Sequence, residues 1–391
     1  MIMANTIEKA VYPLLLTASV LGLGVYSPKK PYLSILYNIT VWIAYGCLYY
    51  YTVTTLKAEI WFQSISTMLY IQTGILAIIT SIIMSVYQDK RFRIFMKRLA
   101  AVDDTLKELG TPEIYRQLHK YSKRVLIGWF VCTHMANSFD TIWWFYAMKD
   151  HRCIIIPYIT NHFHHVHMLE NLLFITLLWY IGTRFDKVNE HMRCLLIKKE
   201  YGLRYAWRKP VLTTRGCITD KYKCILWTSM HVHLELCQIA RELNVMFGPQ
   251  LTMEIVAYLI YLTISCDYII KHVQTKSHYI FSPFTWIDIY FWIFLHVAGL
   301  FCLNYVCENV STKANEMEKI IHQLTDFLRY ADVRDEIYQF SLQIIYHPLK
   351  FTGLGLFYFG NGLLRKFFMT ITTFLIFIIQ MVPIPKKATD F

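Results

Sequence analysis

Charge is scarce in this sequence. Asp, Glu, Lys and Arg make up only 17% of its 391 residues, where a soluble globular chain carries about a quarter. Acids are scarcer than bases, 27 against 39, which leaves a formal net charge of +12. The ten cysteines, at 47, 132, 153, 194, 217, 224, 237, 266, 302 and 307, include no CxxC pair. Neither a zinc ribbon nor a dithiol redox centre is therefore indicated. No internal repeat and no low-complexity tract is present, which excludes solenoids and propellers. The basic residues are dispersed and no nucleic-acid motif accompanies them, so the positive balance does not point to DNA or RNA.

Apolar side chains are what the chain has in abundance. It is 55% hydrophobic and 16% aromatic, with mean hydropathy +0.34. Such a composition predicts an all-α polytopic membrane protein. A spanning helix needs about 20 apolar residues. Seven stretches qualify: 32–55, 66–87, 125–147, 155–182, 251–273, 285–307 and 362–382. The last opens at Asn361, a good N-cap, and stops before Pro383 and Pro385. The earlier run VYPLLLTASVLGLGVY is short and interrupted by Pro13, Gly22 and Gly24. It reads as an interfacial or non-spanning helix, with a cleaved signal peptide as the second reading.

The loops between the stretches differ sharply in charge. Of the 39 Lys and Arg, 32 fall on the side that holds the N-terminus and seven on the other. Cytosolic loops accumulate Lys and Arg, so the N-terminus is expected inside and the C-terminus outside. Cys153 then lies outside the cell. The basic segments carry apolar stripes at helical spacing: Phe92, Phe95, Leu99, Val102 and Leu106; Met317, Ile320, Leu324, Phe327 and Leu328; Ile337, Phe340, Ile344 and Ile345. Their polar faces carry both signs. That favours long helices packed together below the membrane over helices lying on the inner leaflet.

Three motifs bear on function. Seven spans suggest a G-protein-coupled receptor, but those receptors keep the N-terminus outside, and neither FYAMKD nor QMVPIP carries that family's signatures. The stretch NHFHHVHMLEN, with His162, His164, His165 and His167, suggests a histidine-box enzyme. A di-iron site needs several such clusters facing the cytosol. Here there is one, on the outer side, while His231 and His233 fall on the opposite side. No enzyme, cofactor or resident metal is therefore expected, and the histidines read as lining a polar vestibule at the membrane surface. The third motif is TTFLIFIIQM. Thr373 and Gln380 are seven apart and share one helix face. A polar stripe in a spanning helix faces neighbouring helices or a water-filled cavity.

These last residues resemble the insect gustatory receptor family, whose C-terminal signature is Thr-Tyr, five apolar residues, then Gln-Phe. Here Thr373-Phe374 is followed by Leu375 to Ile379 and by Gln380-Met381. FTGLGLFYFGNGLL at 351–364 resembles the glycine-punctuated turn before the family's last helix. LNVMFGPQL at 243–251 resembles the start of its fifth span. Phe374 replaces Tyr and Met381 replaces Phe, which keeps the apolar bulk and loses a phenol.

The resemblance implies a ligand-gated, non-selective cation channel assembled as a tetramer of itself or with other gustatory receptor subunits. It would sit in the plasma membrane of chemosensory neurons. Its partners would be a small-molecule tastant, permeant cations and the lipid bilayer, with no nucleic acid. Residues 1–31 would be the cytosolic or interfacial N-terminal segment. Residues 32–307 would form a six-helix ligand-binding bundle with cytosolic loops 88–124 and 183–250. Residues 308–361 would be the cytosolic anchor, 362–382 the pore-lining helix and 383–391 an extracellular tail. Thr373, Phe374, Phe377, Gln380 and Met381 would line the pore and gate, where amides facing water and an adjacent apolar ring suit dewetting closure. The ligand would bind in the outer half of spans three to six. That region offers Trp143, Trp144, Tyr158, Asn161, His162, His165, Trp286, Asp288 and Trp292, aromatic walls with a few polar groups. An aromatic belt at the membrane interface is the alternative for the tryptophans. Leu375 stands where the sugar-sensing branch carries Glu, so the bitter or another divergent branch is expected. An odorant receptor-type channel is the nearest alternative.

Overall fold

The computed structural model describes residues 6–23, 31–55, 65–149, 154–206, 215–275, 283–327 and 334–381. Its helices are α1 (Ile7–Val20), α2 (Pro31–Thr55), α3 (Ile65–Glu108), α4 (Tyr115–Met148), α5 (Ile156–Thr160), α6 (His162–Ala206), α7 (Arg215–Thr275), α8 (Pro283–Phe327), α9 (Arg334–Tyr346) and α10 (Asn361–Met381). Two short strands, β1 (Thr352–Gly353) and β2 (Phe357–Tyr358), pair antiparallel before α10. The architecture is all-α apart from this hairpin. Cys153, Leu328 and the tail 383–391 lie outside the described residues, as do the side chains of Leu324, Phe327 and Met381.

Six of the seven apolar stretches, among the described residues, each fall within a single helix. Among the described residues, three helical segments are long and apolar enough to cross a membrane by length and composition: His162–Leu195, Lys223–Ile270 and Trp286–Gln323. The fourth stretch departs from expectation. It divides at Asn161 into α5 and α6, because Asn161 turns the chain and spends its side chain on α4. LNVMFGPQL lies within α7, which runs unbroken through it with Pro249 inside the helix.

The helices overrun their apolar stretches. At 1.5 Å per residue, the 44 residues of α3 reach about 66 Å and the 61 of α7 about 90 Å. Their charged extensions pack together, as the stripes required. Phe95, Leu99, Val102 and Leu106 are buried with Phe92 against them, and so are Met317, Ile320, Ile337, Phe340 and Ile344. Ile345 is the exception, at 43% exposed. Ion pairs join the same helices. Arg98 of α3 reaches Glu235 at 2.7 Å and also Glu242 on α7, while Lys313 of α8 meets Asp186 of α6 at 2.5 Å. Asp103 receives Arg184 at 2.7 Å and the phenols of Tyr180 at 2.5 Å and Tyr115 at 2.9 Å, tying α3, α4 and α6. Burial pushes the Asp103 carboxyl up, and the adjacent guanidinium opposes that.

α6 is the central post, buried along most of its apolar length between α7 and α8. The N-terminal helix packs on the bundle through one face, while Tyr12, Leu16 and Val20 on its other face stay exposed. α1 buries Ile7, Ala10, Val11, Leu14, Leu15 and Ala18 against α4 and α6.

His233 of α7 sits between the rings of Phe185 and Phe340, with Cys237 Sγ at 3.6 Å. Burial lowers its pKa to about 3, against about 6.5 in an unfolded chain. Between those values the unfolded chain binds the extra proton, so stability is full above about pH 6.5 and falls as the pH drops. Each unit costs up to about 1.4 kcal/mol. His233→Phe keeps the ring packing and removes the proton site. Acidification from pH 6.5 to 5 should destabilise it by about 2 kcal/mol less than the wild type, read from unfolding midpoints in detergent. Equal losses would show that His233 does not titrate with folding.

Three asparagines position α10. Asn244 of α7 brackets Thr352, accepting its N–H at 3.2 Å and donating to its hydroxyl at 3.3 Å. Asn315 of α8 brackets Leu349 in the same way, accepting its N–H at 3.0 Å and donating to its carbonyl at 3.3 Å. Asn304 accepts the Gly360 N–H at 2.8 Å, immediately before α10 begins. The hairpin turn places Leu354 at φ 50 and Gly355 at φ 76, the left-handed pair of a type I′ turn.

Candidate functional site

α4, α6, α7 and α8 come together at the end of the bundle where α4 stops and α6 begins. Their facing segments are apolar runs broken by single polar residues, and the helical period stacks those residues on one side. Asp288, Trp292 and His296 on α8 are one turn apart each.

Asp140 of α4 is the centre of the upper layer. It accepts from Asn161 and, at 3.2 Å, from Trp292 Nε1, and its carboxyl hydrogen-bonds that of Asp288. Asn137, one turn along α4, accepts from Asn161 at 3.2 Å and bonds His165 Nε2 at 3.0 Å. His165 stacks on Trp292 at 6.1 Å.

Below this layer lies a cavity of about 50 Å³. Its walls include Phe163, His164, Met168, Tyr258, Trp292 and His296, with Glu254 as its acid. Glu254 is 5% exposed and accepts from Asn171 and from Tyr258. A second buried acid is close by: Glu170 bonds His167 Nδ1 at 3.3 Å and accepts from Gln250 at 3.1 Å. A polar, aromatic-walled space between helices is the usual setting for a small organic ligand.

Of the nine residues expected at a ligand site, Asn161, His165, Asp288 and Trp292 are brought together. His162 points elsewhere, packing its ring on Tyr45 at 4.7 Å and Trp42 at 5.8 Å of α2. Tyr158 is 41% exposed and meets His134 at 3.2 Å, while Trp286 stacks on Tyr290 along its own helix. Trp143 and Trp144 pack edge-to-face on each other. The four histidines do not line a surface vestibule. His165 and His167 are buried. His162 packs on α2, His164 and His165 on Trp292 of α8, and His167 on Glu170, because the six residues 162–167 sweep well over a full turn.

The other candidate surface is on α10. Leu364, Phe367 and Ile371 are buried against α7 and α8. Thr373, Phe377 and Gln380 project about 180–240° round from that face. Phe377 is 57% exposed, and Thr373 and Gln380 are exposed too. Thr373 returns its hydroxyl to the Met369 carbonyl at 2.9 Å. Phe374, 48% exposed, lies toward one flank. Met381 is the last residue of the helix.

Residues 14–383 match the family model described as 7tm Chemosensory receptor. Gustatory receptor 28b of Drosophila melanogaster is 22% identical over 336 residues, covering 80% of this chain and 69% of that protein. The gustatory and pheromone receptor 32a of the same organism is 30% identical over 89 residues, 23% of this chain and 19% of that one. In three dimensions the chain resembles the insect olfactory receptor OR5 from Machilis hrabei. The TM-score is 0.64 at 12% identity, with 95% of this chain and 97% of that one covered. The same receptor in complex with eugenol gives 0.56 at 13% identity, covering 96% and 98%. This chain is a member of the insect 7tm chemosensory receptor family of membrane proteins.

Proposed function

We propose that the chain is a gustatory receptor working as a ligand-gated, non-selective cation channel in the plasma membrane of chemosensory neurons, driving acceptance or avoidance of a small-molecule tastant. Seven spans cross the membrane with the N-terminus in the cytosol. Four copies, of this chain or with related subunits, surround a pore lined by α10. The observation that carries this reading is the polar stripe of Thr373 and Gln380, set opposite the face α10 buries in its own chain. Lipid solvates an amide badly, whereas a water-filled pore between subunits solvates it well. The domain limits follow: 1–31 at the N-terminus, 32–307 for the bundle, 308–361 for the anchor, 362–382 for the pore helix and 383–391 outside. The bitter or another divergent branch fits Leu375, and an odorant receptor-type channel is the second reading, favoured by the likeness in fold.

Topology is checked by tags. A tag before Met1 should be labelled only after permeabilisation and one after Phe391 on intact cells, as the 32-to-7 division of Lys and Arg requires. Labelling of the N-terminal tag on intact cells would exclude the arrangement.

The tastant enters beside Asp140, Asp288 and Trp292 and occupies the cavity beneath. Trp292→Ala and Asp288→Ala should each raise the half-activating concentration by about tenfold, or ~1.4 kcal/mol, with surface expression unchanged. Unchanged dose dependence in both would move the pocket elsewhere.

A further inference from the structure

The four facing segments hold five carboxyls and no Lys or Arg. These are Asp140 in 129–148 of α4, Glu170 in 162–183 of α6, Glu254 and Asp267 in 250–270 of α7, and Asp288 in 286–307 of α8. Buried acids are normally met by a cation. Glu254 is the acid of the cavity wall, which also carries the imidazoles of His164, His165, His167 and His296, and His167 bonds the neighbouring Glu170.

Glu254 is the informative one. Asn171 and Tyr258 both donate to its Oε1. Its Oε2 takes no hydrogen bond among the described residues, although Glu254 is more than nine-tenths buried and forms part of the cavity wall. The same wall presents the rings of Trp292, Tyr258 and His296. A carboxylate oxygen without a donor, inside aromatic faces, suits an ammonium group, which gains both from the opposite charge and from the ring faces. A neutral ligand of the same shape would leave that oxygen desolvated and unmatched.

We propose that the ligand of this site is a protonated amine with an aromatic or apolar body, and that Glu254 is the residue that selects it. The assignment rests on the reading of this bundle as the ligand site. The ammonium meets Glu254 Oε2, and the body lies against Trp292 and Tyr258. At about 50 Å³ the space is below that of such a molecule, so wall side chains move aside. Unbranched Met168, which lines the same wall, is suited to that.

Phenethylamine and 2-phenylethanol have equal numbers of heavy atoms and differ in charge at neutral pH. Their binding to the full-length protein in detergent is read from the concentration dependence of thermal stabilisation. The amine should bind at least about tenfold more tightly. Glu254→Gln keeps the acceptor for Asn171 and Tyr258. It should abolish that preference while changing alcohol binding less than about twofold. Equal binding of the two probes, no binding of either, or an unchanged preference in Glu254→Gln overturns the proposal. Should that variant not fold, the wild-type comparison decides alone. Trp292→Ala separates the two levels. If it weakens alcohol binding while the amine shows no advantage, the ligand site stands and its charge preference fails. If it changes neither, the ligand site itself fails.

Discussion

Met381→Ala should give a standing, ligand-independent cation current. In the proposed tetramer the substitution would remove apolar bulk from four symmetric positions at once, so water would enter the closed constriction and the dewetting barrier would fall. On the proposed reading its neighbour Gln380 sets permeation. Gln380→Glu places up to four carboxyls in one ring, and like charges that close keep some of them protonated. Preference for divalent over monovalent cations should rise, and it should vary with external pH. Reversal potentials in mixed calcium and sodium, recorded with ligand present, read both effects. If Gln380 only bonded a neighbouring helix of its own subunit, Gln380→Glu would impair surface delivery and leave selectivity as it was. The exposure of Gln380 within the single chain favours the pore. An unchanged reversal potential across pH at normal surface expression would remove Gln380 from the conduction path.

Gly360→Ala should destabilise the folded channel by roughly 1–3 kcal/mol. Gly360 stands at φ 133, a conformation that side-chain-bearing residues rarely adopt, and an added Cβ would collide with the Glu308 carboxylate. The Glu308 carboxylate is the far end of an exposed, flexible side chain and can swing aside, so the cost is chiefly backbone strain of roughly 1–3 kcal/mol. Against a total stability of roughly 5–15 kcal/mol this is a large fraction. The loss falls on the joint that aims α10, because the Gly360 N–H is the group Asn304 holds. Gly362→Ala is the control. A Cβ there meets nothing within 4 Å, and Ala suits a helix better than Gly. Surface expression and the unfolding midpoint should drop for Gly360→Ala and hold for Gly362→Ala. Equal behaviour of the two would mean that the joint tolerates strain.

Much of this architecture was legible in the sequence. Apolar runs of spanning length locate the helices because their burial is set by composition. The stripes of Phe95 to Leu106 and of Ile337 to Ile344 mark packed extensions because both periodicity and mixed-sign charge were visible. The break at Asn161 was not legible, since an apolar run conceals a turn made by one side chain bonding another helix. The same holds for α1, whose short Pro-containing run gives no sign that α4 and α6 will cover one face of it.

The site was half legible. Asp288 and Trp292 stood out as polar or aromatic residues in an apolar span, and Asp140, Glu254 and His296 carry the same signal. The spacing Asp288, Trp292, His296 points to one face of α8, but only the fold shows that Asp140 and Asn137 of α4 meet it. His162 misled because adjacency in sequence is not adjacency on a helix.

The central claim is that Thr373 and Gln380 face the ion pathway. Cysteines at these two positions, modified by a charged methanethiosulfonate reagent while ligand holds the channel open, test it most directly. Current should fall in both variants and stay constant in the wild type, whose native thiols serve as the background. Complete modification of both cysteines, verified by mass, with current unchanged would contradict the account.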